Sequence, residues 1–363
     1  MKQWLETGQV FAHLAALHAA GKRAALATVV RVHGSAYRHE GAKLVIGDDG
    51  SNVGNVSGGC LEADVREVAM RVANTGVAEL RTYCGGSDEV TAWDLGVGCD
   101  GVVEILIEPV SSARVFERRA LQDQTGYVAV TLLRETRECG EAPRIVITDA
   151  GAFGSLGDAT LDEFVRMNAS AWRVAGESRI EQHGDHRLSL DVLVPPPRMV
   201  IISGGDDARM LARLSAEVGF RVVVVDRRSG LLTPERFAPP IALVESDAAR
   251  LNERLVLEES AFCVVMTHDF ADDTAYLRSL LRTPARYIGM LGPRQRTDRI
   301  LAHLRHESPI DESRIYGPVG LDIGTDGAEQ VALAVMAEIL AVRSGRHPQS
   351  LRERRAPIHA HRE

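Results

Sequence analysis

The stretch Gly54-Asn55-Val56-Ser57-Gly58-Gly59-Cys60-Leu61-Glu62 is echoed further along the chain by Gly154-Ser155-Leu156-Gly157-Asp158-Ala159-Thr160-Leu161-Asp162. An apolar strand-like run precedes each copy, Lys43-Leu44-Val45-Ile46 in the first and Arg144-Ile145-Val146-Ile147 in the second, followed by a turn ending at Gly50 or Gly151. After the first copy, Leu61, Val65, Val68, Ala69 and Val72 recur at helical spacing. The reading is strand, small-residue loop, helix. Upstream, Val128-Ala129-Val130-Thr131-Leu132 echoes Ala25-Leu26-Ala27-Thr28-Val29, and downstream Leu190 to Pro195 echoes Val103 to Glu108. One local fold is therefore expected twice, over 24–110 and 127–194.

The copies differ in their chemistry. Cys60 stands where a helix begins, and the first N–H groups of a helix lack intrahelical partners and carry partial positive charge. Such a place binds anions and favours a thiolate. Gly58 and Gly59 let a ligand approach the backbone. The second copy has Thr160 in place of Cys60 and lacks the glycine-rich segment from Cys84 to Gly98-Cys99-Asp100-Gly101. The loop geometry does not itself require cysteine, which favours a functional role for the thiols over an incidental capping residue. Cys60 and Cys99 are the candidate reactive residues, and Cys60 is the candidate metal ligand. Cys139 falls in a charged loop and Cys263 inside an apolar strand, where a core role is expected. No C-x-x-C or His/Cys cluster has zinc-ligand spacing, so zinc is not expected. The loop His33 to His39, with Arg38, is a second place that could hold an anion.

With 363 residues, the chain has room for two or three domains. A formal net charge of −8 argues against a nucleic-acid partner. No apolar run reaches membrane-spanning length, so no membrane partner is expected. Met1 to Ala20 reads as an amphipathic helix, not a signal peptide. Five cysteines, an odd number in so long a chain, make no disulfide framework and point to a reducing cytoplasm.

Pro195-Pro196-Pro197 ends the repeat region, because three prolines cannot continue a helix or a central strand. The domains are thus 1–194, 198–345, and a charged tail over 346–363. Arg198 to Ile202, the turn Ser203-Gly204-Gly205-Asp206-Asp207, a helix from Ala208 and the strand Arg221 to Val225 form a βαβ unit that ends at Asp226. Strands over 241–244, 261–266 and 287–290 continue an α/β alternation. The expected class is α/β: an N-terminal α/β domain with an internal repeat, then a Rossmann-like parallel-sheet domain. Only Gly205 and Ala208 fit the dinucleotide glycine pattern, and Asp206 and Asp207 would oppose a pyrophosphate. Asp226, His268, Asp269, Arg294 and Asp322 should gather at the carboxyl ends of the strands.

These motifs together resemble the xanthine dehydrogenase accessory factor family, of the XdhC/CoxI type. Ser57 to Glu62 and Gly98-Cys99-Asp100-Gly101 are similar to its N-terminal signatures. Thr267-His268-Asp269, Tyr287-Ile288-Gly289 with Gly292 and Arg294, and Gly317 to Gly324 are similar to its C-terminal ones. The sequence departs from that pattern at Ser203 and Asp206, where glycine and histidine are usual. The resemblance implies a maturation factor for molybdenum hydroxylases rather than a hydroxylase or dehydrogenase. Such a factor holds the molybdenum cofactor, a molybdopterin, transiently while sulfur is installed, then passes it to an apo-hydroxylase of the xanthine dehydrogenase type. A sulfur donor such as a cysteine desulfurase is an implied partner, and a homodimer is the expected assembly. The cofactor-binding residues expected are Ser57, Gly58, Gly59, Cys60, Glu62, Gly98, Cys99, Gly204, Gly205, Asp226, His268, Asp269 and Arg294. Two alternatives stand beside this reading. One is an oxidoreductase that binds NAD(P), with Asp226 on the ribose hydroxyl. The other is a structural adaptor that docks the apo-hydroxylase.

Overall fold

A computed structural model describes residues 2–34, 36–59, 61–84, 102–110, 114–134 and 139–355. Cys60, Gly98 and Cys99 lie outside the described residues, as does the tail from residue 356 onward. The described chain divides into two compact units, Lys2–Pro195 and Pro196–Arg355.

The first unit begins with helix α1 (Lys2–Ala19), followed by β1 (Ala24–His33), β2 (Lys43–Gly47), β3 (Asn52–Gly54), α2 (Glu62–Thr75), β4 (Glu79–Cys84) and β5 (Val102–Pro109). The series then runs again as α3 (Val115–Gln122), β6 (Tyr127–Leu133), β7 (Arg144–Thr148), β8 (Gly151–Ser155), α4 (Ala159–Ala175), β9 (Arg179–His183) and β10 (His186–Leu193). The two sheets have equivalent strand orders, β3-β2-β1-β5-β4 and β8-β7-β6-β10-β9. All the pairings are antiparallel.

Strand alternation assigns the faces. Ala25, Ala27 and Val29 of β1 pack with Val65, Val68 and Val72 of α2 on one side of the first sheet. Leu26 and Val45 face the other way, onto Tyr127, Ala129 and Val146 of the second sheet. The second sheet carries α4 on its far side, through Val165 and Trp172. The layers therefore run helix, sheet, sheet, helix.

Register corrects one echo read from the sequence. Leu26 pairs with Glu108, and its counterpart Ala129 pairs with Asp191. Glu108 therefore corresponds to Asp191, four residues from the match to Pro195 suggested by the sequence. An even offset leaves the in/out alternation intact, so hydrophobic pattern alone could not detect it.

With the register known, the charges between the sheets make a reciprocal pattern. Lys43 corresponds to Arg144, since they pair with Thr28 and Thr131. Lys43 Nζ lies 2.8 Å from Asp191, and Arg144 lies 2.7 Å from Glu108. The basic residue of each copy thus meets the acidic residue of the other. Glu104 and Arg187, which are counterparts of one another, meet at 2.5 Å. This is the pattern of an isologous dimer interface, here enclosed in one chain. Arg114 adds a second buried bond to Glu108 at 2.8 Å, and the Tyr127 hydroxyl donates to Asp191 at 3.1 Å.

The second unit holds β11 (Arg198–Ile202), α5 (Asp206–Val218), β12 (Arg221–Asp226), β13 (Ala242–Glu245), α6 (Leu251–Arg254), β14 (Phe262–Val265), α7 (Phe270–Leu281), β15 (Tyr287–Met290), α8 (Arg294–Glu307), β16 (Ile315–Tyr316) and α9 (Ala328–Ser344). Its six strands are all parallel, in the order β13-β12-β11-β14-β15-β16. Counted within the unit this is 3-2-1-4-5-6, the Rossmann order. Helices α5 and α9 cover one face, and α7 and α8 the other. Cys263 is fully buried in the middle strand, as expected, and burial pushes its thiol up to about 12.

Candidate functional site

In the first unit the loop between β3 and α2 is held by a reciprocal pair. The Ser57 amide donates to Glu62 Oε1 at 2.9 Å, and the Ser57 hydroxyl donates to Glu62 Oε2. The same hydroxyl accepts from the Gly59 and Leu61 amides, each at 3.1 Å. Burial works to raise the Glu62 carboxyl, but the bonds from Ser57 prevail and hold it below its ordinary value. Ser57 and Glu62 thus fix the shape of the loop, as in a capping box. Gly54 enters the loop at φ 97°, and a Cβ there would lie 2.2 Å from the Lys43 carbonyl oxygen. Gly154 repeats this in the second copy, with 2.3 Å to the Arg144 carbonyl oxygen.

Beyond Ser57 the copies part. Asp158 caps α4 with its carboxylate, accepting from the Thr160 amide at 2.7 Å and the Leu161 amide at 3.2 Å. The counterpart of Asp158 is Gly58, which brings no side chain to the start of α2. Gly59 has φ 115°, and a Cβ added there would meet nothing within 4 Å among the described residues. The Asn55 side-chain oxygen is buried with no hydrogen-bond partner among the described residues.

Two further segments reach this loop. The Tyr37 ring packs on Gly58, where a Cβ would lie 3.2 Å from Tyr37 Cγ. The Tyr83 hydroxyl donates at 2.6 Å to Asp64 in the first turn of α2. Tyr83 stands next to Cys84, where the described part of β4 ends. In the second copy the equivalent strands are joined across His183 and His186 by only Gly184 and Asp185. In the first copy the chain runs from Cys84 to Val102 at the same place, and that stretch carries Cys99. The root of this insertion is therefore tied to the helix whose start follows Cys60. Asp64 and Tyr83 were not singled out in the sequence, because their pairing depends on how α2 lies on β4.

In the second unit the turn after β11 is bonded from two neighbouring strand ends, by Asp226 to Gly204 and by His268 to Asp207. Asp226 accepts from the Gly204 amide at 2.7 Å, the Arg228 amide at 2.8 Å, and Arg228 Nε and Nη2 at 3.0 and 2.9 Å. Burial works to raise its carboxyl, yet the Arg228 and Gly204 bonds hold it below its ordinary value. The Gly205 amide donates to the Ser203 hydroxyl at 3.0 Å. His268 adopts φ 64°, rare for a residue with a side chain, and its Nε2 lies 3.2 Å from Asp207. Asp269 caps α7 by accepting from the Asp272 amide. Arg294 is exposed at the start of α8. Its neighbour Arg296, not predicted from the sequence, instead reaches the buried Asp273 at 2.6 Å, and Asp273 accepts from the Thr267 hydroxyl at 2.6 Å. Among the described residues no group of three or more histidine, cysteine or carboxylate side chains is placed to hold a metal ion.

Residues 199–339 match the family model of the XdhC Rossmann domain, and residues 17–84 match that of the XdhC and CoxI family. The chain belongs to this family. It is 28% identical over 326 residues to a Bacillus subtilis protein named as a probable subunit of xanthine dehydrogenase, covering 89% of this chain and 94% of that one. It is 25% identical over 328 residues to the Escherichia coli molybdenum cofactor insertion chaperone PaoD, covering 89% of this chain and 84% of the relative. A crystal structure described as a xanthine dehydrogenase from Bacillus halodurans superimposes with a TM-score of 0.76 at 27% identity, over 93% of this chain and 96% of that one. The XdhC/CoxI matches thus fall in both units.

Proposed function

We propose that this chain binds the molybdenum cofactor, supports its sulfuration, and delivers it to an apo-hydroxylase of the xanthine dehydrogenase type. The observation that carries the reading is the difference between the two copies at the starts of α2 and α4. In the second copy Asp158 occupies two of the first amides of α4. In the first copy Gly58 stands in its place, and Gly59 has open space beside it among the described residues. The first-turn carboxylates of α2 are engaged, Glu62 with Ser57 and Asp64 with Tyr83, and no side chain stands at Gly58, where a phosphate-bearing ligand can approach the helix start. The buried Asn55 oxygen, without a partner among the described residues, adds a hydrogen-bond acceptor that a pterin N–H can satisfy. The relative named as a molybdenum cofactor insertion chaperone supports the same ligand.

Within this reading Cys60 is a soft ligand or sulfur carrier, and Cys99 acts with it from the inserted segment. A thiolate suits both roles, since a soft sulfur ligand matches a molybdenum–dithiolene centre. The cofactor's own contribution is the metal that accepts the sulfur. The protein's part is to hold it, with Ser57 and Glu62 fixing the loop. A cysteine desulfurase is the proposed sulfur source, and a homodimer the proposed assembly. The test is to mix the purified chain with isolated cofactor and to measure molybdenum and pterin in the protein fraction after gel filtration. Combined Cys60→Ala and Cys99→Ala substitution should lower retention at least tenfold. Unchanged retention would remove the thiols from the account.

A further inference from the structure

The fold of the second unit implies a dinucleotide in the crevice where β11, β12 and β14 end. The residues there do not fit one, and we infer that the chain itself fills this crevice through the segment Asp226–Arg236. In a dinucleotide-binding Rossmann unit three features receive the ligand. Loop amides and the helix start meet the pyrophosphate, a close-approach glycine admits it, and the acid ending the second strand takes the ribose hydroxyl.

The loop amides, the glycine and the acid are engaged internally, although the start of α5 has no side-chain cap. The Gly204 amide is bonded to Asp226, and the Gly205 amide to the Ser203 hydroxyl. Asp226 is only 5% exposed and accepts four hydrogen bonds, from the Gly204 amide and from three N–H groups of Arg228. Two carboxylate oxygens offer about four lone-pair positions, so none is left for a ribose. The glycine is needed by the chain's own packing: a Cβ at Gly204 would lie 2.7 Å from Leu231 Cβ. From the same segment Arg236 reaches the Gly204 carbonyl and Asp206, both at 2.9 Å. Asp206 and Asp207 put two carboxylates in the first turn of α5, where a pyrophosphate would sit. Ser203, found where the dinucleotide pattern has glycine, is part of the same closure, since its hydroxyl takes the amide that a phosphate would use.

The test uses the full-length chain, titrated calorimetrically with NAD and with NADP, each to millimolar concentration. Neither should give saturable heat. The double variant Arg228→Ala, Leu231→Gly, which frees one side of Asp226 and uncovers Gly204, should give saturable heat with NAD over the range in which the parent gives none. Hydrogen exchange at the amides of residues 203–208 is recorded with and without NAD. Binding by the parent chain that protects these amides would overturn the inference. Parent binding that leaves them unprotected would place the nucleotide elsewhere and support it. A double variant that keeps its circular dichroism but gains no affinity would refute the claim that these side chains are the obstacle.

Discussion

Glu62 sets the loop by bonding back to Ser57, and this has a pH signature. Its carboxyl is held below its ordinary value of 4.5. A depressed carboxyl contributes stability that is fully present above the unfolded value and is lost as pH falls through the lower folded value. Denaturant midpoints of the parent and of Glu62→Gln should therefore differ most near neutrality and converge below pH 4.5. A gap that widens in acid would mean that Glu62 is not ionised in the folded loop. The residue scale also shows where sequence reading stops. Arg294 and Arg296 are two positions apart at the start of one helix, hence on different faces, and it is Arg296 that engages the buried Asp273. Nothing in the linear pattern separates them.

At the scale of elements, the repeat was legible because strand alternation and the glycine turns recur. The parallel order of the second unit followed from strands alternating with helical segments. The four-residue misalignment of β10 against β5 was not legible, because the alternation is the same in either register. With the register known, Lys43–Asp191 and Glu108–Arg144 become equivalent bonds across the internal interface. Lys43 and Glu108 have side-chain exposures of 3% and 0%. Burial lowers the Lys43 ammonium against the pull of Asp191, so the pair depends on that partner. Removing one member of a buried pair strands the other. Lys43→Met should destabilise the chain by about 3 kcal/mol, measured by urea unfolding. Adding Asp191→Leu should restore part of the loss, though Tyr127 then loses its acceptor. A neutral single substitution would show that the pair contributes nothing to the packing of the two sheets.

At the scale of the whole molecule, two kinds of surface can be compared. In the second unit the Rossmann loop and its acid bond one another, which no glycine pattern could reveal because it depends on how Leu231 and Arg228 fold back. In the first unit the second copy caps its helix with Asp158, whereas the first leaves Gly58 there and carries an insertion between β4 and β5. Net charge, −8 over the chain, does not distinguish these surfaces. The central claim is that cofactor binding belongs to the first copy. The most direct measurement moves the cap between copies and quantifies molybdenum retained per chain. Gly58→Asp brings the second copy's carboxylate to α2, and the exposed Tyr37 ring beside it has room to turn away. It should reduce retention at least tenfold while the fold persists. Asp158→Ala should cost about 1 kcal/mol of stability and leave retention unchanged. Full retention by Gly58→Asp, or loss of retention in Asp158→Ala, would contradict the account.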